Sequence, residues 1–193
     1  MLSCLVGSEM CIRDSIVVVG QNPGTNHPRM LSALKSAKKS GASILSINPL
    51  KETGMRRFRH PQSPIDMLGA GTQISDDHVD IKVNGDMALF RAIGSIILDK
   101  GVQDMDFINL NTTGFLDYAN VAKAVDWGLT EDLTGQSRDR IYEISDYFCR
   151  SKRTIVCWAM GITQHKNSVN TIREIMNVLL LKGDIGREGS GPC

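Results

Sequence analysis

The sequence is short of the features that usually give a function away. It has no surplus of one charge: 22 Lys+Arg stand against 21 Asp+Glu, a formal net charge of +1 with the four His neutral. That balance argues against a general polyanion binder. No apolar run approaches the ~18–20 residues that a bilayer crossing needs, and there is no basic n-region followed by an apolar core of signal-peptide type. None of the five cysteines (Cys4, Cys11, Cys149, Cys157, Cys193) forms a Cys-x-x-Cys pair or has a His at zinc-finger spacing. Scattered and odd in number, they favour reduced thiols in a cytoplasmic setting. Cys157, inside Thr154-Ile-Val-Cys-Trp158, reads as a buried core thiol rather than a nucleophile. A wholly disordered chain is excluded too, because 41% of the residues are hydrophobic.

The 193 residues suggest one domain, perhaps one and a half, with two ends that differ from the middle. Residues 1–15, MLSCLVGSEMCIRDS, follow neither a helical nor a strand period and resemble translated adapter sequence, so they are set aside; a short native strand or turn is the alternative. Residues 183–193 crowd four glycines and read as a truncated linker to missing parts, which leaves 16–182 as the folded domain.

Within that domain, apolar strand patterns alternate with amphipathic helices. Ile16-Val-Val-Val-Gly20 is a β-branched run without alternation, as in a strand buried on both faces. A turn over Gln21–His27 leads to Pro28, suited to a first helical position, and to a helix with Met30, Leu31, Ala33, Leu34 and Ala37 on one face and Lys35, Lys38 and Lys39 outside. Gly41 ends it, and Ser43–Asn48 is a second strand. Residues 49–77 are aperiodic and rich in Pro, Gly and basic side chains. The alternation of His78–Val83 predicts a third strand. Asp86 stands at the start of the next helix as N-cap or first-turn acid. Helices separated by Gly114, Gly128 and Gly135 fill 104–150, and Arg153–Trp158 is a fourth strand. Asn167 or Ser168 caps a last helix with Val169, Ile172, Ile175, Met176, Leu179 and Leu180 inward. The pattern predicts an α/β fold: a Rossmann-like, doubly wound, mainly parallel sheet with helices on both faces.

Ligands of such sheets bind at the carboxyl ends of the strands. The loop Gly20-Gln-Asn-Pro-Gly-Thr-Asn-His-Pro28 is neither Gly-x-Gly-x-x-Gly nor a Walker loop. It is either a phosphate or nucleoside pocket or an Asn/Pro turn that caps the helix, and position alone decides neither. Dinucleotide folds often end their second strand with an acid for the ribose hydroxyls. Here Asn48 stands in that place, a weaker, uncharged substitute or simply a turn residue before Pro49. Arg56, Arg57, Arg59 and His60 read more readily as a solvated basic loop than as an anion site. No triad, carboxylate pair or metal cluster is visible, so the residues alone reach only a nucleotide-type ligand on an α/β sheet.

Several strings together resemble a known family. Gly20-Gln-Asn-Pro23 with His27-Pro28, Gly85-Asp-Met-Ala-Leu89, Gly114-Phe115, Gly183–Gly191 and above all Trp158-Ala-Met-Gly-Ile-Thr-Gln164 are similar to the molybdopterin oxidoreductase superfamily, in its formate dehydrogenase alpha subunit-like (FdhF/YdeP-type) branch. The resemblance implies an internal fragment of a bis(molybdopterin guanine dinucleotide) enzyme carrying Mo or W. That parent would have a small-molecule substrate, a redox partner and a 4Fe-4S cluster outside this chain, with no nucleic acid and no membrane segment. It implies cofactor-binding roles for Gly20, Asn22 and Asn26 at the pyrophosphate and nucleoside. Asn48 and Pro49 would approach the ribose, Asp86 the guanine edge, and Met160, Gly161 and Gln164 the pterin wall. No catalytic residue or metal ligand is expected in the chain, and the isolated fragment is expected to be inactive. The departures are Asn48 for the Asp of many relatives, Leu50 for an Arg, Thr25 for an Asp, and a Gly85-Asp86 loop one residue short. The alternatives are a nicotinamide- or thiamine-diphosphate-dependent enzyme domain and a non-catalytic nucleotide-binding module.

Overall fold

The computed structural model describes residues 14–59, 69 and 71–193. Five strands form one sheet: β1 (Ser15–Val19), β2 (Ser43–Ile47), β3 (Asp77–Val79), β4 (Thr154–Trp158) and β5 (Gly191–Pro192). Their order is β3-β2-β1-β4-β5, and every neighbouring pair is parallel. The helices in chain order are α1 (Pro23–Asn26), α2 (Pro28–Lys39), α3 (Thr53–Arg56), α4 (Asp86–Asp99), α5 (Met105–Asn111), α6 (Phe115–Lys123), α7 (Trp127–Thr134), α8 (Arg138–Cys149), α9 (Met160–Thr163) and α10 (Ser168–Leu181).

The β-branched run of β1 explains the layering. Successive strand side chains point to opposite faces, so Ile16 and Val18 join Ile44, Ile155 and Cys157 under Met30, Leu31 and Leu34 of α2. Val17 and Val19 join Leu45, Ile47 and Val156 under apolar side chains of α4, α8 and α10. The expected doubly wound α/β architecture is therefore present, with one core on each side of the sheet. Cys157 is a buried side chain of the first core, as its apolar neighbours predict.

In the helical layer, Arg91 of α4 donates from Nε and Nη2 to Oε1 of the buried Glu174 on α10, at 2.9 and 2.6 Å. Beside this pair the Tyr118 hydroxyl of α6 lies over Gly94, where an added Cβ would come within 2.2 Å of it. Burial, with the Glu174 charge nearby, raises the Tyr118 pKa well above that of a free phenol.

Several expectations are corrected. The turn before Pro28 contains the short helix α1, capped by Asn22. The aperiodic stretch holds α3 and a bridge between Phe58 and Thr72; His60 lies outside the described residues. Strand β3 stops at Val79 instead of Val83, because its partner β2 runs out: Asn48 N–H donates to the Val79 carbonyl, and Pro49 has no N–H to extend the ladder. Val79 and Ile81 are both buried, which produces the alternation, but Lys82 N–H turns to the Thr134 carbonyl. Gly85 is the N-cap of α4, leaving Asp86 as its first-turn acid. Gly128 lies inside α7; the break falls instead at Asp126, whose side chain accepts from Leu129 N–H and caps that helix. Lys35 is 7% exposed and packs inside, whereas Val169 is 62% exposed and does not face the core.

The chain ends also fold onto the sheet where they are described. Asp14 Oδ2 accepts from Lys152 N–H at 3.0 Å, and Ser15 begins β1; residues 1–13 of the set-aside segment lie outside the described residues. The glycine-rich residues after α10 return as β5, with Cys193 N–H donating to Val156 and Trp158 N–H to Cys193. No described helix is long and apolar enough to cross a membrane.

Candidate functional site

The carboxyl ends of β1 and β4 are where the sheet order reverses direction, so the loops leaving them bound a crevice. They meet backbone to backbone. A Cβ built on Gly161 would lie 2.3 Å from the Gly20 carbonyl oxygen, and one on Gly20 would lie 3.0 Å from the Gly161 carbonyl carbon. Gly20 also has φ +55, a left-handed conformation that glycine adopts without strain. Only two glycines let these loops close so tightly. Gly161 is exposed within α9, and Met160 beside it is 63% exposed.

Across β1 a second cluster forms from side chains. Asn22 Oδ1 accepts from Thr25 N–H at 3.1 Å, capping α1, and its Nδ2 donates to Oε2 of Glu52. Asn48 Nδ2 donates to the other oxygen of the same carboxylate, Oε1, at 3.4 Å. One acid therefore joins the ends of β1 and β2. Its position depends on the close approach of α1 and α3, where a Cβ on Gly54 would stand 3.0 Å from the Gly24 Cα. Next along the chain from Gly20, Gln21 is buried; its Nε2 lies 3.4 Å from His27 Nδ1, and its Oε1 has no hydrogen-bond partner. A buried amide oxygen without a partner is costly unless something completes it.

The third element is Asp86, buried at the start of α4. Burial pushes its carboxyl pKa up, opposed by its own backbone N–H and by His165, whose Nδ1 stands 3.7 Å from Asp86 Oδ2. His165 belongs to the segment after β4, and its Nδ1 is buried without a hydrogen bond. Asp86 is thus tied to the β4 side of the crevice.

Of the residues expected to bind a cofactor, the structure brings Gly20 to Gly161 and Asn22 to Asn48. It places Asp86 next to the residue following Gln164. Pro49 is exposed on the loop after β2, Asn26 is the exposed last residue of α1, and Gln164 is the exposed C-cap of α9. Sequence reasoning did not single out Glu52, Gln21 or the His165 contact. For Glu52 the available signal was an acid four residues beyond Asn48, in a strand-end loop. Among the described residues, no group of three His, Cys, Asp or Glu side chains gathers as a metal site would require.

Comparison with known proteins gives the site its context. Residues 12–193 match the family model described as molybdopterin oxidoreductase. An uncharacterized oxidoreductase of Mycobacterium tuberculosis is 44% identical over 186 residues, covering 93% of this chain and 24% of that protein. Protein YdeP of Escherichia coli is 36% identical over 191 residues (93% and 25%), and formate dehydrogenase H of E. coli is 28% identical over 178 residues (92% and 22%). The chain thus spans about a quarter of the length of these relatives. Among solved structures, acetylene hydratase from Pelobacter acetylenicus shares the fold with a TM-score of 0.76 at 18% identity, over 90% of this chain and 22% of that one.

Proposed function

The chain belongs to the molybdopterin oxidoreductase family, and from that premise we propose that its carboxyl rim holds one guanine dinucleotide arm of a bis(molybdopterin guanine dinucleotide) cofactor. The observation that carries this reading is the backbone contact of Gly20 with Gly161 at the β1/β4 crevice, with polar groups on either side of it. The residues present fit such a group. Exposed Gly161 leaves room above the crevice, Gln21 offers an uncompleted buried oxygen, and Asp86 offers a buried carboxylate.

Each residue then has a physical task. The loop of Gly20, Asn22 and Asn26 lies along the pyrophosphate and nucleoside, and Asn48 with Pro49 borders the ribose. Asp86, ionised, accepts from the two adjacent N–H donors of a guanine edge, an arrangement that charge strengthens. Met160, Gly161 and Gln164 form the wall toward the pterin. When bound, the cofactor's Mo or W supplies two-electron redox chemistry on a small substrate, formate-dehydrogenase-like in kind, with a 4Fe-4S relay and redox partner belonging to the longer parent.

Calorimetry with the 193-residue chain tests the proposal. GDP should bind more tightly than ADP, NADH or thiamine diphosphate, and Asp86→Asn should lower GDP affinity by about tenfold or more. Because burial raises the Asp86 pKa, GDP affinity should also fall at milder acidity than an ordinary carboxylate would cause. The chain alone should not oxidise formate. Tighter binding of NADH or thiamine diphosphate, or formate turnover by the chain, would overturn the assignment.

A further inference from the structure

We propose that Glu52 is the ribose-recognising acid of this site, replacing the strand-end acid that Asn48 does not supply, and that it makes the site selective for a ribonucleotide with both hydroxyls free. This rests on the nucleotide reading above and names the group that reads the sugar.

The argument starts from the acceptor capacity of a carboxylate. Two oxygens offer about four lone-pair positions. In Glu52 one position on each oxygen is taken, by Asn22 Nδ2 on Oε2 and by Asn48 Nδ2 on Oε1. One position on each remains, enough for a carboxylate to accept from both hydroxyls of a vicinal diol. Both amides are neutral donors, and among the described residues Glu52 makes no ion pair, so its negative charge is not cancelled. The half-buried carboxylate is held from both sides at the carboxyl ends of β1 and β2, where dinucleotide folds read the ribose. Although Glu52 is the N-cap of α3, its side chain makes no cap hydrogen bond there. The acid is fixed at the strand ends instead of serving its own helix.

Three consequences follow for recognition. Hydroxyls at both 2′ and 3′ satisfy the two free acceptor positions. Loss of the 2′-hydroxyl leaves one oxygen of a fixed carboxylate without a donor. A 2′-phosphate meets an uncancelled negative charge and is excluded. Asn22 and Asn48 act as positioning residues, since they orient the carboxylate and leave the diol to it.

The test compares GDP with 2′-deoxy-GDP on the 193-residue chain by calorimetry, with circular dichroism melting run on each variant. The wild type should favour GDP by about tenfold or more, as for a hydrogen bond to a charged group. Glu52→Gln, which has one acceptor oxygen in place of two and no charge, should bring the ratio close to one while GDP still binds. Glu52→Asp, which keeps the charge but draws the carboxylate back by one methylene, should give an intermediate ratio and serves as the readout where Glu52→Gln does not melt cooperatively. Equal binding of the two nucleotides by the wild type would overturn the inference and leave the nucleotide reading standing. So would an undiminished preference in a folded Glu52 variant. Failure of the wild type to bind GDP at all would overturn both.

Discussion

The two seams that flank β1 at its carboxyl end are closed by different means. Toward β4 the closure is steric: two glycines face each other, and the backbone itself is the contact surface. Toward β2 it is chemical: two amides donate to one carboxylate, leaving acceptor positions open. A glycine seam gives space and shape, whereas an amide–carboxylate seam gives donors, acceptors and charge. The proposed nucleotide site would draw on both, and they stand on opposite sides of one strand.

The glycine seam should be the more fragile. Gly161→Ala places a methyl 2.3 Å from the Gly20 carbonyl oxygen, with backbone rather than a flexible side chain in the way. We expect a loss of about 3 kcal/mol, lowering the melting midpoint by roughly 6–12 °C. A midpoint unchanged by the substitution would show that the seam opens at little cost.

A second measurement separates the rim from the opposite end of the sheet. Asp184, beside Thr154 where β4 begins, has its pKa pushed up to about 6 by burial, against the pull of Thr154, Lys182 and Arg187. Its folded pKa exceeds its unfolded value of 3.8. The favourable contribution is therefore complete below pH 3.8 and is lost as the pH rises through about 6. Asp184→Asn should flatten that decline and raise stability at pH 8 by about 1–3 kcal/mol. Denaturant melts across the pH range decide it; a slope between pH 4 and 6 that survives the substitution would move the effect elsewhere.

The smallest effect sharpens the comparison most. The two seams share no side-chain partner, so Glu52→Ala, costing about 1 kcal/mol through two stranded amides, should add to Gly161→Ala within about 0.5 kcal/mol. A larger coupling in the double-mutant cycle would mean that β1 transmits strain between its two sides.

These seams were not equally legible in the sequence. Gly20 closes an unmistakable β-branched strand, and Gly161 lies in the segment after an apolar strand that the family resemblance singled out. Asn22 and Asn48 stood at strand ends as candidates with a turn reading left open, whereas Asp86 read as a helix-start acid until the family resemblance implied a cofactor role. Glu52 was not singled out, because it lies in a stretch without period, and its reach to Asn22 depends on the Gly24–Gly54 approach of two short helices. That approach is a tertiary contact with no local signature. The fold class was readable from the alternation of elements, but β5 was not: two residues, Gly191 and Pro192, pair with β4 and carry none of the side chains that mark a strand. Lys35 and Val169 were misplaced because helical periodicity fixes a face, not how far its neighbours extend over it.

The phenol lying over Gly94 has a consequence for how this domain can change over time. Any side chain at position 94 and a tyrosine at position 118 would claim the same volume. Position 94 cannot gain a side chain while Tyr118 stays without prising α6 from α4. Homologous chains should therefore pair any larger residue at 94 with a smaller one at 118.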